Sequence, residues 1–292
     1  MQIKRAISAL SSSLLIVLAI PISAGAAGTT VVVTPTNTQG FSKYESTPGG
    51  AVNFVADPSA PGGSGALQLT TSATITAKAQ YIHATNTPLA SVTQLSYYTK
   101  QNSAPFPGAD PSYQLITLLN GTGAKGFTTL VYEPYQNPQQ GPVVPGVFQK
   151  HDVAAGLFYS TRTVTCSKGT LAGSTTGGGP ANYTLAQIKT ICPNAVVVGF
   201  GVNIGSNNPL YNVETDLLNF NGTIYNFEVK PTPTSKNQCK KDGYKNYIDT
   251  QGKAFKNQGK CVSFVTNIGH DQKENNQEDN QKLENIKTKS ND

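Results

Sequence analysis

Short runs of alternating apolar and polar residues, parted by Gly, Pro, Asn and Ser, constrain this chain more than any other feature. The clearest are TVVVT, AVNFVA, ALQLTT, ATITAKAQYI, VTQLSYYT, SYQLITLL, GFTTLVYE, AVVVGFGVNI, YNVETDLL and GTIYNFEV. A period of two sends successive side chains to opposite faces of a strand, so each run offers one apolar face to a core. Ten such runs with turn signals between them specify an all-β sandwich or barrel. The stretch GALQLTTSATITAKAQYI has few breakers and is expected to contain a hairpin whose turn the pattern does not locate. One segment reads as helix instead. In YTLAQIKTI, Thr184 and Gln187 fit a capping box, and Leu185, Ile188 and Ile191 share a face that can dock on a sheet.

The chain opens with Lys4 and Arg5, an apolar stretch, and small residues around Ala24 to Ala26, the layout of a secretory signal peptide over 1–26. Pro21 interrupts the apolar stretch, which falls short of the roughly 20 residues a bilayer span requires. No later segment is long and apolar enough to span a membrane. The expectation is an exported protein, secreted or held at the cell surface. Four cysteines fall into two local pairs, Cys166 with Cys192 and Cys239 with Cys261. In an exported chain this pattern reads as two disulfides, and no C-x-x-C spacing supports the competing zinc reading.

Organisation follows from composition. Residues 28–229 form the β-sandwich domain, and 230–234 form a Pro/Thr linker. Residues 235–265 form a mini-module, and 266–292 a polar tail expected to be disordered. The sandwich segment carries eight basic and eight acidic residues, whereas 230–265 carries eight lysines against Asp242 and Asp249. The formal net charge of +6 is thus a property of the C-terminal part, and a neutral sandwich lacks the electrostatic footprint of a nucleic-acid binder. A unit of about 30 residues cannot bury enough surface to fold unaided, so Cys239 and Cys261 are expected to staple two short helical pieces.

The stretches GGAVNFVADPSAPGGSGALQLTT, TQLSYYTKQ, GFTTLVYEPYQN and NAVVVGFGVNIGSNNPLYNVETDLLNFNGTIYNFE carry a resemblance. In that order they resemble a set of exported bacterial proteins of unassigned function, across most of 28–229. The resemblance implies a jelly-roll or concanavalin-like sandwich. Relatives often have tryptophan where this chain has Phe148, His151 and Phe158. The segment with QCK, GY and FKNQGKCVSF resembles a short module found behind varied exported bacterial domains, with Tyr244 where tryptophan is usual. Neither resemblance implies a known activity.

Few residues suggest chemistry. GTGAKG, 121–126, has the GxGxxG spacing but opens a strand-like run after Asn120-Gly121, so it reads as a hairpin turn. No G-x-S-x-G elbow is present, and His151-Asp152 is the one suggestive pair; His151 is expected at the surface, with Asp152 satisfying a loop backbone. Glycoside cleavage needs two carboxylates about 5–9.5 Å apart. Glu133 with Asp152 or Glu214 is the candidate set. Glu214 and Asp216 share a strand face and are the candidate ligands for a structural calcium; no other cofactor is expected.

Aromatic residues are the best lead to a ligand. Tyr98, Tyr132, Glu133 and Tyr135 combine rings that could stack on a pyranose with acceptors for its hydroxyls. The leading expectation is a non-catalytic binding or surface-associated protein that recognises a glycan or an anionic cell-envelope polymer. The alternatives are a polysaccharide-acting hydrolase or lyase and a purely structural surface protein.

Overall fold

The computed structural model describes residues 28–121, 123, 126–174, 178–250 and 253–267. The segment read as a signal peptide and nearly all of the polar tail lie outside the described residues. The strands in chain order begin with β1 (Thr29–Val33), β2 (Phe41–Lys43), β3 (Gly50–Ala56), β4 (Gly65–Thr71), β5 (Ala79–Pro88) and β6 (Leu95–Ser103). They continue with β7 (Ser112–Leu118), β8 (Phe127–Tyr132), β9 (Gln149–Asp152), β10 (Leu157–Ser160), β11 (Val164–Cys166) and β12 (Gly169–Leu171). After β13 (Tyr183–Thr184) comes helix α1 (Leu185–Ile191), followed by β14 (Val196–Ile204), β15 (Asn212–Phe220) and β16 (Thr223–Phe227).

These strands build two seven-stranded sheets. In the first, the order is β1-β16-β15-β4-β3, with β6 and then β9 added on the other side of β15. The second runs β13-β10-β8-β7-β14-β5-β2. Pairing is antiparallel except for β1 beside β16. The protein is an all-β sandwich with one short helix, and among the described residues no helix is long and apolar enough to cross a membrane.

The core lies between the sheets. Phe200 on β14 stacks on Phe220 on β15, with centroids 4.0 Å apart and planes 4° apart, joining the two layers at one end. Further along, Tyr97 of the first sheet meets Tyr113 and Tyr132 of the second edge-on. Two of the three polar ends are accommodated: Tyr97 donates to Pro111 O at 2.6 Å and Tyr113 to Asn219 O at 2.9 Å. A buried phenol otherwise leaves a costly unpaired hydroxyl.

Helix α1 starts as its sequence dictates. Thr184 Oγ1 accepts the Gln187 N–H at 3.2 Å, and Gln187 Oε1 accepts the Thr184 N–H at 2.8 Å. Leu185 and Ile188 are buried against the sheets. Cys192 ends the helix and is bonded to Cys166, tying α1 to β11.

The C-terminal part contains 3-10 turns at Lys236–Cys239 and Gly243–Asn246 and a helix over 258–267. The Cys239–Cys261 disulfide is buried, and Phe255 packs on Phe264 at 5.2 Å.

Three features depart from the sequence reading. The stretch expected to hold a hairpin holds none: β4 and β5 belong to different sheets, joined by a turn at 72–78, so β5 begins only at Ala79. Strands β2 and β9–β13 are two to four residues long, too short to show a period. His151 is buried rather than at the surface, its ring 5.5 Å from that of Tyr97 and 6.4 Å from that of Tyr132. Asp152, next to it on the strand, is exposed and accepts the Ala155 N–H, as expected.

Candidate functional site

Strand β8 delivers the site. Alternation turns Tyr132 into the core, fully buried, and turns Glu133 outward. The following sequence PYQNPQQ makes two 3-10 turns, Pro134–Gln136 and Pro138–Gln140, each with proline at its first position. Asn137, wholly buried, fastens them: its Nδ2 donates to Glu133 O and Leu157 O, and its Oδ1 accepts the Leu157 N–H at 2.7 Å. Tyr135 is thereby held 41% exposed beside Glu133.

A second loop faces it. In SAPFPGADP, residues 103–111, buried Gln101 donates to Pro107 O at 3.1 Å and also to Ala109 O. That clamp presents Phe106, 52% exposed, edge-on to Tyr135 with centroids 5.7 Å apart. The same loop carries Asp110. Its Oδ2 accepts from Thr99 Oγ1 at 2.6 Å, and Thr99 Oγ1 lies 2.9 Å from His151 Nε2. A threonine hydroxyl has one proton, so when it donates to Asp110 it must accept from His151 Nε2–H. Burial pushes Asp110 up to about 7 and pushes His151 down to about 4, keeping both neutral over much of the acidic range.

These parts enclose a cleft of about 200 Å³ lined by Phe106, Asp110, Glu133, Tyr135, Asn203 and Tyr211, with the 205–208 turn at its edge. Burial raises Glu133 against the lowering effect of hydrogen bonds from Tyr135, Gln136 and Tyr159. Tyr135 is pushed up to about 12 by burial and by Glu133. Asp110 Oδ1 and Asn203 Oδ1 are buried without a hydrogen-bond partner.

The cleft continues into a groove of about 340 Å³ on the outer face of the second sheet, the two sharing Asn203, Gly205 and Ser206. Its floor holds Gln80 and Gln114, joined by a 2.9 Å hydrogen bond, and Tyr159. Tyr44 and Arg162 stand at its margins, with the Arg162 guanidinium 5.1 Å from the Phe127 ring. Gln80 Oε1 is a third unpartnered acceptor. A larger open depression of about 820 Å³ lies beside β6 and β9, lined by Gln94, Gln140, Lys150, Asp152 and Asn219. It has no aromatic ring among its lining residues, so it offers amides without a stacking surface.

The structure thus brings Glu133 and Tyr135 together and separates the other anticipated residues. Tyr132 faces the core, and its hydroxyl is among the buried atoms without a partner. Tyr98 sits half-buried on the outer face of the first sheet, opposite Asp216 and Lys150. Asp152 lines the open depression, and Glu214 is bound to Lys100 at 3.1 Å, so neither meets Glu133.

Lys100 also pairs with Asp57, placing an ammonium between the two carboxylates. Asp216, fully buried, accepts N–H bonds from Gly62 and Phe227 at 2.9 and 3.0 Å. Glu214 and Asp216 therefore do not fit a calcium site, because a divalent ion at Glu214 would face the Lys100 charge. Among the described residues no group of three or more His, Cys, Asp or Glu is arranged to hold a metal.

Phe106, Asp110, Gln80, Gln114, Asn203 and Arg162 were not anticipated from sequence. Only Phe106 carried a signal, as a large apolar side chain set between two prolines in a loop.

Two distant structural likenesses accompany this geometry. One solved structure is a Family 11 Carbohydrate-Binding Module from Clostridium thermocellum in complex with beta-1,3-1,4-mixed-linked tetrasaccharide, at 11% identity and a TM-score of 0.37 over 64% of this chain and 91% of that one. Another is the Family 11 Carbohydrate-Binding Module of cellulosomal cellulase Lic26A-Cel5E of Clostridium thermocellum, at 11% identity and a TM-score of 0.35 over 63% of this chain and 88% of that one. No family model and no curated protein matches the chain.

Proposed function

We propose that the protein is an exported, non-catalytic glycan-binding protein, and that its ligand lies in the groove on the outer face of the second sheet. One observation carries this reading: the exposed Phe106–Tyr135 pair stands over a cleft walled by carboxylates and amides. A sugar ring has an apolar C–H face and a polar rim, and this arrangement meets both. The Gln80–Gln114 floor extends the polar side of the site along the sheet. The two disulfides suit an oxidising compartment, in keeping with export.

The lysine-rich segment 235–265 acts in this proposal as a separate electrostatic anchor for anionic envelope polymers. Lys253, Lys256 and Lys260 line one depression with Phe255 and Phe264. Co-sedimentation of the full mature chain with cell wall, chitin and cellulose, at low and high salt, tests both parts. Salt-resistant binding abolished by Tyr135→Ala supports the groove, whereas binding wholly released by salt leaves only the anchor. No binding to any polymer favours a purely structural surface protein.

A hydrolytic reading has one specific support, the sharing of a cleft by Asp110 and Glu133. An Asp110 raised to about 7 keeps its proton near neutrality, as a general acid requires. Release of reducing ends from a soluble glycan, lost in Glu133→Gln, would favour it over simple binding.

A further inference from the structure

We propose that the cleft between Phe106 and Tyr135 is a subsite for a protonated primary amine on a sugar ring, so that the glycan recognised is an amino-sugar polymer with free amines. The proposal rests on the glycan-binding reading and adds the ligand's chemical class.

The lining of the cleft is one-sided. It includes two carboxylic acids, Asp110 and Glu133, and no Lys, Arg or His. Both of its buried side-chain atoms that lack a hydrogen-bond partner are oxygens. Asp110 Oδ1 and Asn203 Oδ1 have no partner, and the two residues are only 6% and 8% exposed. A buried acceptor without a donor costs about 1–3 kcal/mol, more when it is charged. The ligand that relieves this best brings donors and positive charge together. An ammonium carries three N–H donors and no acceptor, and the cleft offers three oxygen sites in Asp110, Asn203 and Glu133.

The surroundings agree. Lys100, the buried cation of the first sheet, is committed to Asp57 and Glu214, so it does not neutralise the cleft. Burial raises both cleft acids, and a ligand cation would offset that cost. The exposed rings at the rim add cation–π attraction for an ammonium passing over them.

Size and shape narrow the choice. About 200 Å³ is below the ~300 Å³ of ordinary small-molecule sites, so the cleft suits a single ring. An N-acetylated sugar would bring one N–H donor and a carbonyl oxygen facing the carboxylates. A neutral glucose unit would bring donors but no charge. A lysine side chain would supply the ammonium but no ring face for Phe106 and Tyr135.

Calorimetric titration of the full mature chain with four oligomers of equal length tests this, at about pH 7, where a sugar amine keeps much of its proton and Asp110 ionises. The oligomers are built from glucosamine, N-acetylglucosamine, glucose and lysine. The expected result is glucosamine binding about tenfold or more tighter than each of the other three. Asp110→Asn and Glu133→Gln should each erase most of that preference, while Tyr98→Ala, outside the groove, should keep it. Equal affinity for the glucosamine and glucose oligomers overturns the amine subsite and leaves the glycan reading standing. Lysine binding as tightly as glucosamine overturns the sugar component. Absence of binding to all three sugars overturns the glycan reading itself.

Discussion

The Tyr159 hydroxyl donates a hydrogen bond to Glu133 Oε1 at 3.3 Å, linking the floor of the sheet groove to the acid of the end cleft. Tyr159 belongs to β10 and Glu133 follows β8, and these strands are paired through Tyr159 and Val131. Glu133 Oε2 accepts from Gln136 at 2.6 Å, so the carboxylate is aimed by donors from two elements. The cleft acid is therefore positioned jointly by strand β10 and by the 3-10 turn that follows β8.

Removing that donor should change both charge and stability. The Tyr159 hydrogen bond lowers Glu133 against burial, so Tyr159→Phe should raise the pH at which Glu133 ionises. The expected stability loss is about 0.5–1.5 kcal/mol, the net worth of an ordinary hydrogen bond. Carbon-13 NMR of the Glu133 carboxyl against pH checks the shift, and an unchanged titration contradicts the link.

The aromatic rim should matter for ligand and not for folding. Phe106 and Tyr135 are 52% and 41% exposed, so truncation to alanine should alter stability by only about 0.5 kcal/mol. Each truncation should weaken glycan affinity by about 1–2 kcal/mol, the range for losing an interface side chain of this kind. Calorimetric titration alongside thermal melts separates the two effects.

The His151–Thr99–Asp110 chain should behave as a unit. Thr99→Val removes the hydroxyl between two buried groups and leaves both short of a partner, at an expected cost of about 1–3 kcal/mol. Thr99→Ser keeps the hydroxyl and should restore most of that loss. Denaturant unfolding of the pair checks it, and equal stability of the Val and Ser variants contradicts it.

Stability should fall as pH rises from about 4 to about 8 and level off above that. Burial raises Asp216 to about 7, and burial with repulsion from Asp216 raises Glu228 to about 8. In the unfolded chain such groups ionise near pH 4. Their contribution is thus complete below that value and is lost as pH rises through the folded values. His151 runs the other way: lowered by burial to about 4, it contributes above its unfolded value of roughly 6.5 and loses that as pH falls. Melting curves over this range should decline for the wild type and decline less steeply in Glu228→Gln, where Asp216 and Asp110 still ionise.

The core and the site differ in how legible they were in the sequence. Nine of the ten alternating runs coincide with strands because each has a period long enough to register and one face in the core, while ATITAKAQYI is strand only from Ala79. The helix and its capping box were legible because Thr184 and Gln187 act locally. Both cysteine pairs could be read because each closes a short loop. Strands such as Val164–Cys166 and Gly169–Leu171, which pair with each other in a small hairpin, were not legible because three residues carry no pattern.

The site shows the same division. Glu133 and Tyr135 are two residues apart in sequence, and their proximity was legible. Asp110 and Asn203 reach the cleft from β7's leading loop and the end of β14, a juxtaposition created only by sheet order. Tyr132 was misassigned to the surface because strand alternation fixes which residues share a face but not which face is the core. His151 was misassigned for a related reason, since a four-residue strand gives no phase.

Backbone-amide NMR of the full mature chain, titrated with a soluble glucosamine oligomer, tests the central claim most directly. Shift changes should concentrate at Gln80, Gln114, Gly178 and 203–208, around the groove and its end cleft. Changes confined instead to Gln94, Lys150 and Asn219, or to the lysine-rich segment, would contradict it.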